Sequence, residues 1–162
     1  MERRLTNVPR VEHQCAVRIS PKILQGALAD VLDGIASQRD AWQGFALHLQ
    51  LRDVGLPDVG YIAVPIRLQC AREVTDAAQF QMALSIESAM NPGAFPVFSG
   101  HCGVSALSAH QSNIWLSGAY TVPLRSFGAF FDATLLHGAA NSCLRNFLSD
   151  VAAVCEARSK TG

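Results

Sequence analysis

His101 and Cys102 put a base and a nucleophile side by side in the chain. They fall inside an alternating segment, where neighbouring residues point to opposite faces, so they cannot work as a nucleophile–base pair. His137 follows Asp132 by five positions, off the three- or four-residue spacing at which helix side chains meet. His13 and His48 sit in alternating segments with no acid at a recognisable spacing, and His110 lies near a turn. Five cysteines, Cys15, Cys70, Cys102, Cys143 and Cys155, are widely spaced and form no CxxC. That speaks against a zinc knuckle, a thioredoxin-like centre or a disulfide framework, though not against one disulfide, and most of them read as buried thiols. Glu87 and Asp132 are the mid-chain acids on long elements, and nothing holds them at the separation glycoside chemistry asks. Neither a dinucleotide-binding glycine fingerprint nor a phosphate-binding P-loop occurs. No catalytic residue, metal ligand set or cofactor is therefore expected.

What remains is a set of polar groups able to orient a ligand: Ser99, His101, Asn113, Ser117 and Tyr120. They lie on two segments, roughly 95–107 and 111–122, whose sides mix polar and apolar residues. Such strands line a semi-polar pocket or meet another subunit. Val97, Ser99 and His101 share one side of the first; Asn113, Trp115 and Ser117 share one side of the second, and Tyr120 falls opposite Trp115 by parity. Against a helix, Trp115 supplies a broad apolar wall. Phe127 and Phe131 are placed to close a cavity mouth, with Leu135 on the same stripe. The expected ligand-binding set is Val97, Ser99, His101, Asn113, Trp115, Ser117, Phe127, Phe131 and Leu135.

The elements that position these residues follow from periodicity. VEHQCAVRI (11–19) alternates as a half-buried strand. Ser20-Pro21 then opens a helix, with Gly34 as its stop and a short helix around 35–42. Segments 45–52, 61–70 and 80–88 alternate. Pro65 cannot donate a ladder bond, which puts the second of these at an edge or gives it a bulge. Gly100, Gly103 and Gly118 let the two longer strands bend sharply. From Leu124 the period becomes about 3.6. Leu136, Ala140, Cys143, Phe147, Val151 and Val154 form one stripe of a long helix reaching about residue 157. Gly128 and Gly138 each weaken it by about 1 kcal/mol relative to Ala.

The chain has 162 residues, one domain's worth, read as a tail (1–10), a domain (11–157) and a second tail (158–162). At 49% hydrophobic and 16% charged it is not a disordered composition. Thirteen Lys plus Arg balance thirteen Asp plus Glu, so no cationic surface for nucleic acid is implied. No stretch reaches the length of a membrane span, and no apolar core follows the N-terminal charges, so a cytoplasmic protein is expected. So low a charged fraction points to a lined cavity or to homodimer formation.

The order of elements and the segment NIWLSGAYTVPLRSFGAFFDATLLHGAANSCLRNFLSDVA (113–152) resemble the helix-grip fold of the START/Bet v 1-like (SRPBCC) superfamily, in its small bacterial members. Gly118, Tyr120, Pro123 and Leu124 match a Gly-x-Tyr strand, a proline and the start of the long helix, with Trp115 three residues before the glycine. The order covers nearly the whole chain and the local pattern only its last third. The resemblance implies an α+β domain, a curved antiparallel sheet wrapped around a long C-terminal helix. It implies non-covalent binding or transport of a small hydrophobic molecule, such as a lipid, between the two. The alternatives are a polyketide cyclase/aromatase-like enzyme and a non-catalytic homodimeric interaction module.

Overall fold

Alternation of apolar residues decides where the strands form. In a computed structural model, residues 10–37, 46–50, 52, 60–73, 79–89, 97–121 and 133–161 are described. The order is β1 (Arg10–Val17), α1 (Pro21–Ala36), β2 (Ala46–Gln50), β3 (Tyr61–Glu73), β4 (Phe80–Ser88), β5 (Val97–Ala106), β6 (Ser112–Thr121) and α2 (Ala133–Lys160). In β4, Phe80, Met82, Leu84 and Ile86 are buried, while the residues between them are half-exposed. A period of two has sorted core from solvent.

The six strands form one curved antiparallel sheet in the order β1-β6-β5-β4-β3-β2. Both helices lie on its inner face. α1 packs on β3, β5 and α2, and buries Leu24, Leu28, Val31, Leu32 and Ile35. α2 buries Leu144, Phe147, Leu148, Val151 and Cys155. It also contacts β1 and β2, the two edges of the sheet. Asn146 Nδ2 donates to the His48 carbonyl at 2.9 Å, and His48 Nδ1 lies 3.3 Å from Asp150 Oδ2. The helix thus covers an edge whose unpaired backbone groups would otherwise invite another strand. At the other end of the sheet, fully buried Ser112 donates to the Ile19 carbonyl at 2.7 Å, so its hydroxyl is satisfied.

Several sequence expectations need correction. Gly34 does not stop α1; it is buried within the helix, which runs on to Ala36. Residues 35 and 36 of the expected short helix therefore belong to α1, and 38–42 lie outside the described residues. Ser20 and Pro21 do begin α1, with Ser20 extended, though its side chain makes no capping bond. β3 is not an edge, since it pairs with β2 and β4. Pro65 is accommodated beyond the last β3–β4 pair, Ile66 with Ser88, where its carbonyl accepts the Ala89 N–H at 2.9 Å. β1 begins at Arg10 and α2 continues to Lys160. The expected start of the long helix, 124–132, lies outside the described residues. Among the described residues, no helix is long and apolar enough to cross a membrane.

Candidate functional site

The inner face of β5 and β6 carries Phe98, Cys102, Val104, Ile114, Leu116 and Tyr120, all buried. Gly100 and Gly118 sit between them as cross-strand partners. A Cβ on Gly100 would come within 2.6 Å of the Gly118 Cα, and one on Gly118 within 2.7 Å of the Gly100 Cα. The strands approach this closely only because neither residue has a side chain.

Beyond that pinch, β6 delivers Tyr120 to the seam with α2. Tyr120 is 2% exposed, and its Oη lies 2.6 Å from Nδ1 of His137, which is exposed on α2. The phenol donates to the imidazole or accepts from it according to the His137 tautomer, and either way its oxygen keeps a lone pair. The ring centroids are 5.7 Å apart. Burial pushes the Tyr120 pKa above the usual tyrosine value. The pair couples a buried hydroxyl to a solvent-facing base.

β1 adds a second polar group to the interior. His13 shares the inner face with Val11 and Val17 and stands opposite Leu116. Its Nε2 is buried and has no hydrogen-bond partner among the described residues. Such a group costs about 1–3 kcal/mol when left unpaired. The thiols nearby are kept protonated. Burial, then the charge of Cys155, pushes Cys102 up to about 12. Burial likewise raises Cys155 to about 11. Burial, then a hydrogen bond from its Sγ to Asp33 Oδ1 at 3.4 Å, raises Cys70 to about 11. Inert thiols of this kind are packing groups rather than nucleophiles. No group of three or more potential metal ligands occurs among the described residues.

The residues expected to line the helix side of the sheet are placed differently. Val97, Ser99 and His101 on β5, and Asn113, Trp115 and Ser117 on β6, have the parity opposite to the buried row and point away from α2. Ser99, His101 and Ser117 come together there, in a groove of about 680 Å³ with Arg10, Gln69 and Ser85. His101 Nε2 lies 3.1 Å from Glu73 Oε1, and Gln81 Nε2 donates to Glu73 Oε2 at 2.6 Å. These bonds, the Gln81 amide first, hold the Glu73 pKa below the usual carboxylate value. Asn113 donates to Gln14 at 3.2 Å, and Trp115 lies across Gly103, where any Cβ would collide with its ring. Phe127 and Phe131 fall outside the described residues. Leu135 lies in the first turn of α2, with its side chain outside the description.

Tyr120 was legible as a polar residue, but not as the partner of His137. Their bond joins two elements that no sequence spacing relates. His13 carried no motif signal at all.

No family model and no curated protein matches the chain. Solved structures do. Ara h 8.0201 is 12% identical, with 96% of this chain and 100% of that one covered, at a TM-score of 0.53. A conserved protein from Geobacillus kaustophilus is 13% identical, over 91% and 95% of the two chains, at 0.51. The Zhui aromatase/cyclase from Streptomyces sp. R1128 is 17% identical, over 92% of both chains, at 0.44. Likeness at these identities concerns the fold alone. The architecture is a helix grip: a curved antiparallel half-barrel wrapped around a long C-terminal helix.

Proposed function

We propose that this chain, as a single helix-grip domain over residues 11–157 of a small bacterial cytoplasmic protein, binds a small, largely apolar molecule between the sheet and the first turns of α2. The observation that carries the reading is the Tyr120–His137 hydrogen bond in that seam. Along its middle and C-terminal turns α2 is sealed by Leu144, Phe147, Leu148 and Val151. At His137, Gly138 and Ala139 the helix is exposed or half-exposed, and His137 brings a polar group to the seam. A mostly apolar site with a few placed polar groups is the usual make-up of a small-molecule pocket. The apolar walls supply affinity by excluding water, and the phenol oxygen, with a lone pair free, sets orientation.

Native mass spectrometry of mildly purified protein tests this. A retained adduct of a few hundred daltons is expected, released on denaturation and depleted in Tyr120→Phe. Absence of any adduct, together with no binding of added apolar aromatics, would overturn it. The same pair favours a second reading, proton transfer in a cyclase- or aromatase-like reaction. A buried hydroxyl in contact with a solvent-facing imidazole can exchange its proton without opening the site. Under that reading, Tyr120→Phe and His137→Ala retain the adduct but let it accumulate unreacted.

A further inference from the structure

We propose that the outer face of the sheet carries a second binding site, turned away from α2, that takes a neutral, linear, polyhydroxylated molecule of the class of a short oligosaccharide.

The strand register lays this site out in two rows across the sheet. Arg10, Ala119, Ser99, Ser85 and Gln69 stand side by side on β1, β6, β5, β4 and β3. Ser117, His101, Ala83 and Ala71 form the next row. All of them line the groove of about 680 Å³, a volume within the range of small-molecule sites. Four steps between strands make the groove about 19 Å long, and two residues along each strand make it about 7 Å wide. It is a slot for a chain of rings rather than for one compact group. Its middle stays open because the floor is alanine and serine, whose side chains are short.

The chemistry of the lining narrows the occupant. The side chains of Arg10, Gln69, Ser85, Ser99 and Ser117 have no hydrogen-bond partner among the described residues. A serine hydroxyl and a glutamine amide each both donate and accept. His101 adds an acceptor. Its Nε2 lies 3.1 Å from Oε1 of Glu73, and an ionised carboxylate only accepts, so the neutral imidazole keeps its proton on Nε2 and a lone pair on Nδ1. Hydroxyls along a chain answer all of these groups, whereas a phosphate or carboxylate only accepts. Little charge is left for an ionic ligand. Arg10 shares the outer row of β1 with Glu12, which offsets it, and both oxygens of Glu73 are taken, by His101 and by Gln81. In the row beyond His101, half-exposed Trp115 lies over Gly103, along the sheet rather than upright from it. It gives the rim of the slot an aromatic surface against which the C–H face of a saturated ring packs.

The test is a titration of the isotope-labelled full chain with cellotriose, read on its amide resonances. Saturable shifts are expected at Gln69, Ser85, Ser99 and Ser117, with none along α2. Ser99→Gln, at an exposed position in the middle of the slot, should fill it and weaken binding about tenfold or more. His101→Phe, which keeps a ring but removes the acceptor, should weaken it about tenfold. Inorganic phosphate at neutral pH should move none of these resonances. Shifts with phosphate and not with cellotriose overturn the proposal and make the slot an anion site. Shifts that follow protein concentration, with no effect of the sugar, overturn it in favour of contact between two copies of the chain. Failure of cellotriose to move any of these resonances overturns it outright, and all three results leave the reading of the helix side intact.

Discussion

The buried phenol of Tyr120 has a thermodynamic consequence. Its pKa is raised because burial penalises the phenolate, so the fold favours the neutral form. That stabilisation is complete below the unfolded value of about 10 and is lost as pH rises through the higher folded value. An absorbance titration at tyrosinate wavelengths should show a component above the ordinary range that vanishes in Tyr120→Phe. Titration of Tyr120 together with free tyrosine would mean that the side chain is not desolvated. Glu73 behaves in the opposite sense. Its folded pKa is lowered, so the stability it contributes is present above the unfolded carboxylate value and is lost as pH falls through the folded one. Because the Gln81 amide is the largest cause, Gln81→Ala should raise the Glu73 pKa in a carboxyl carbon NMR titration. No movement would assign the shift to His101 instead.

At the level of elements, β5 and β6 carry the weakest pattern in the chain. Strand positions were legible because FQMALSIES and its neighbours alternate cleanly. Which side of β5 and β6 faces the helix was not. Their buried rows contain Gly100 and Gly118, which carry no hydropathic mark, while the outward rows hold Val97 and Trp115. Alternation separates two faces but assigns neither to the core when the inner one is interrupted by glycine. The same glycines make the pair rigid to substitution. Gly118→Ala sets a methyl against the Gly100 Cα and the Ser99 carbonyl, both backbone atoms that cannot rotate away. A loss of about 1–3 kcal/mol is expected in urea unfolding, as for overpacked cores. Gly26→Ala on α1, where a Cβ meets nothing within 4 Å, is the control and should gain up to about 1 kcal/mol. Equal effects at the two positions would contradict the pinched geometry.

The whole-molecule plan was the most legible part, because it needs only the order of periods. Six alternating runs cannot bury one face by themselves, and a terminal run of period 3.6 supplies the missing layer. What no period encodes is that α2 touches both edges of the sheet, which depends on how far the half-barrel curls. That closure predicts that α2 and the sheet open as one cooperative unit, and the buried thiols can report on it. Cys102 sits on β5 and Cys155 on α2, near enough for the charge of one to penalise the other. Both are fully buried, whereas Cys15, Cys70 and Cys143 are half-buried. With its pKa raised from 9.0 to about 12, Cys102 holds roughly a thousandfold less thiolate than an ordinary thiol at mildly alkaline pH. Labelling by a disulfide reagent must therefore wait for opening of the helix–sheet contact. If α2 and the sheet open together, Cys102 and Cys155 become reactive over the same range of urea, at the midpoint seen by circular dichroism. Reaction of Cys155 at clearly lower urea than Cys102 would show that α2 detaches while the sheet persists, and closure by the helix would then not be what holds the half-barrel together.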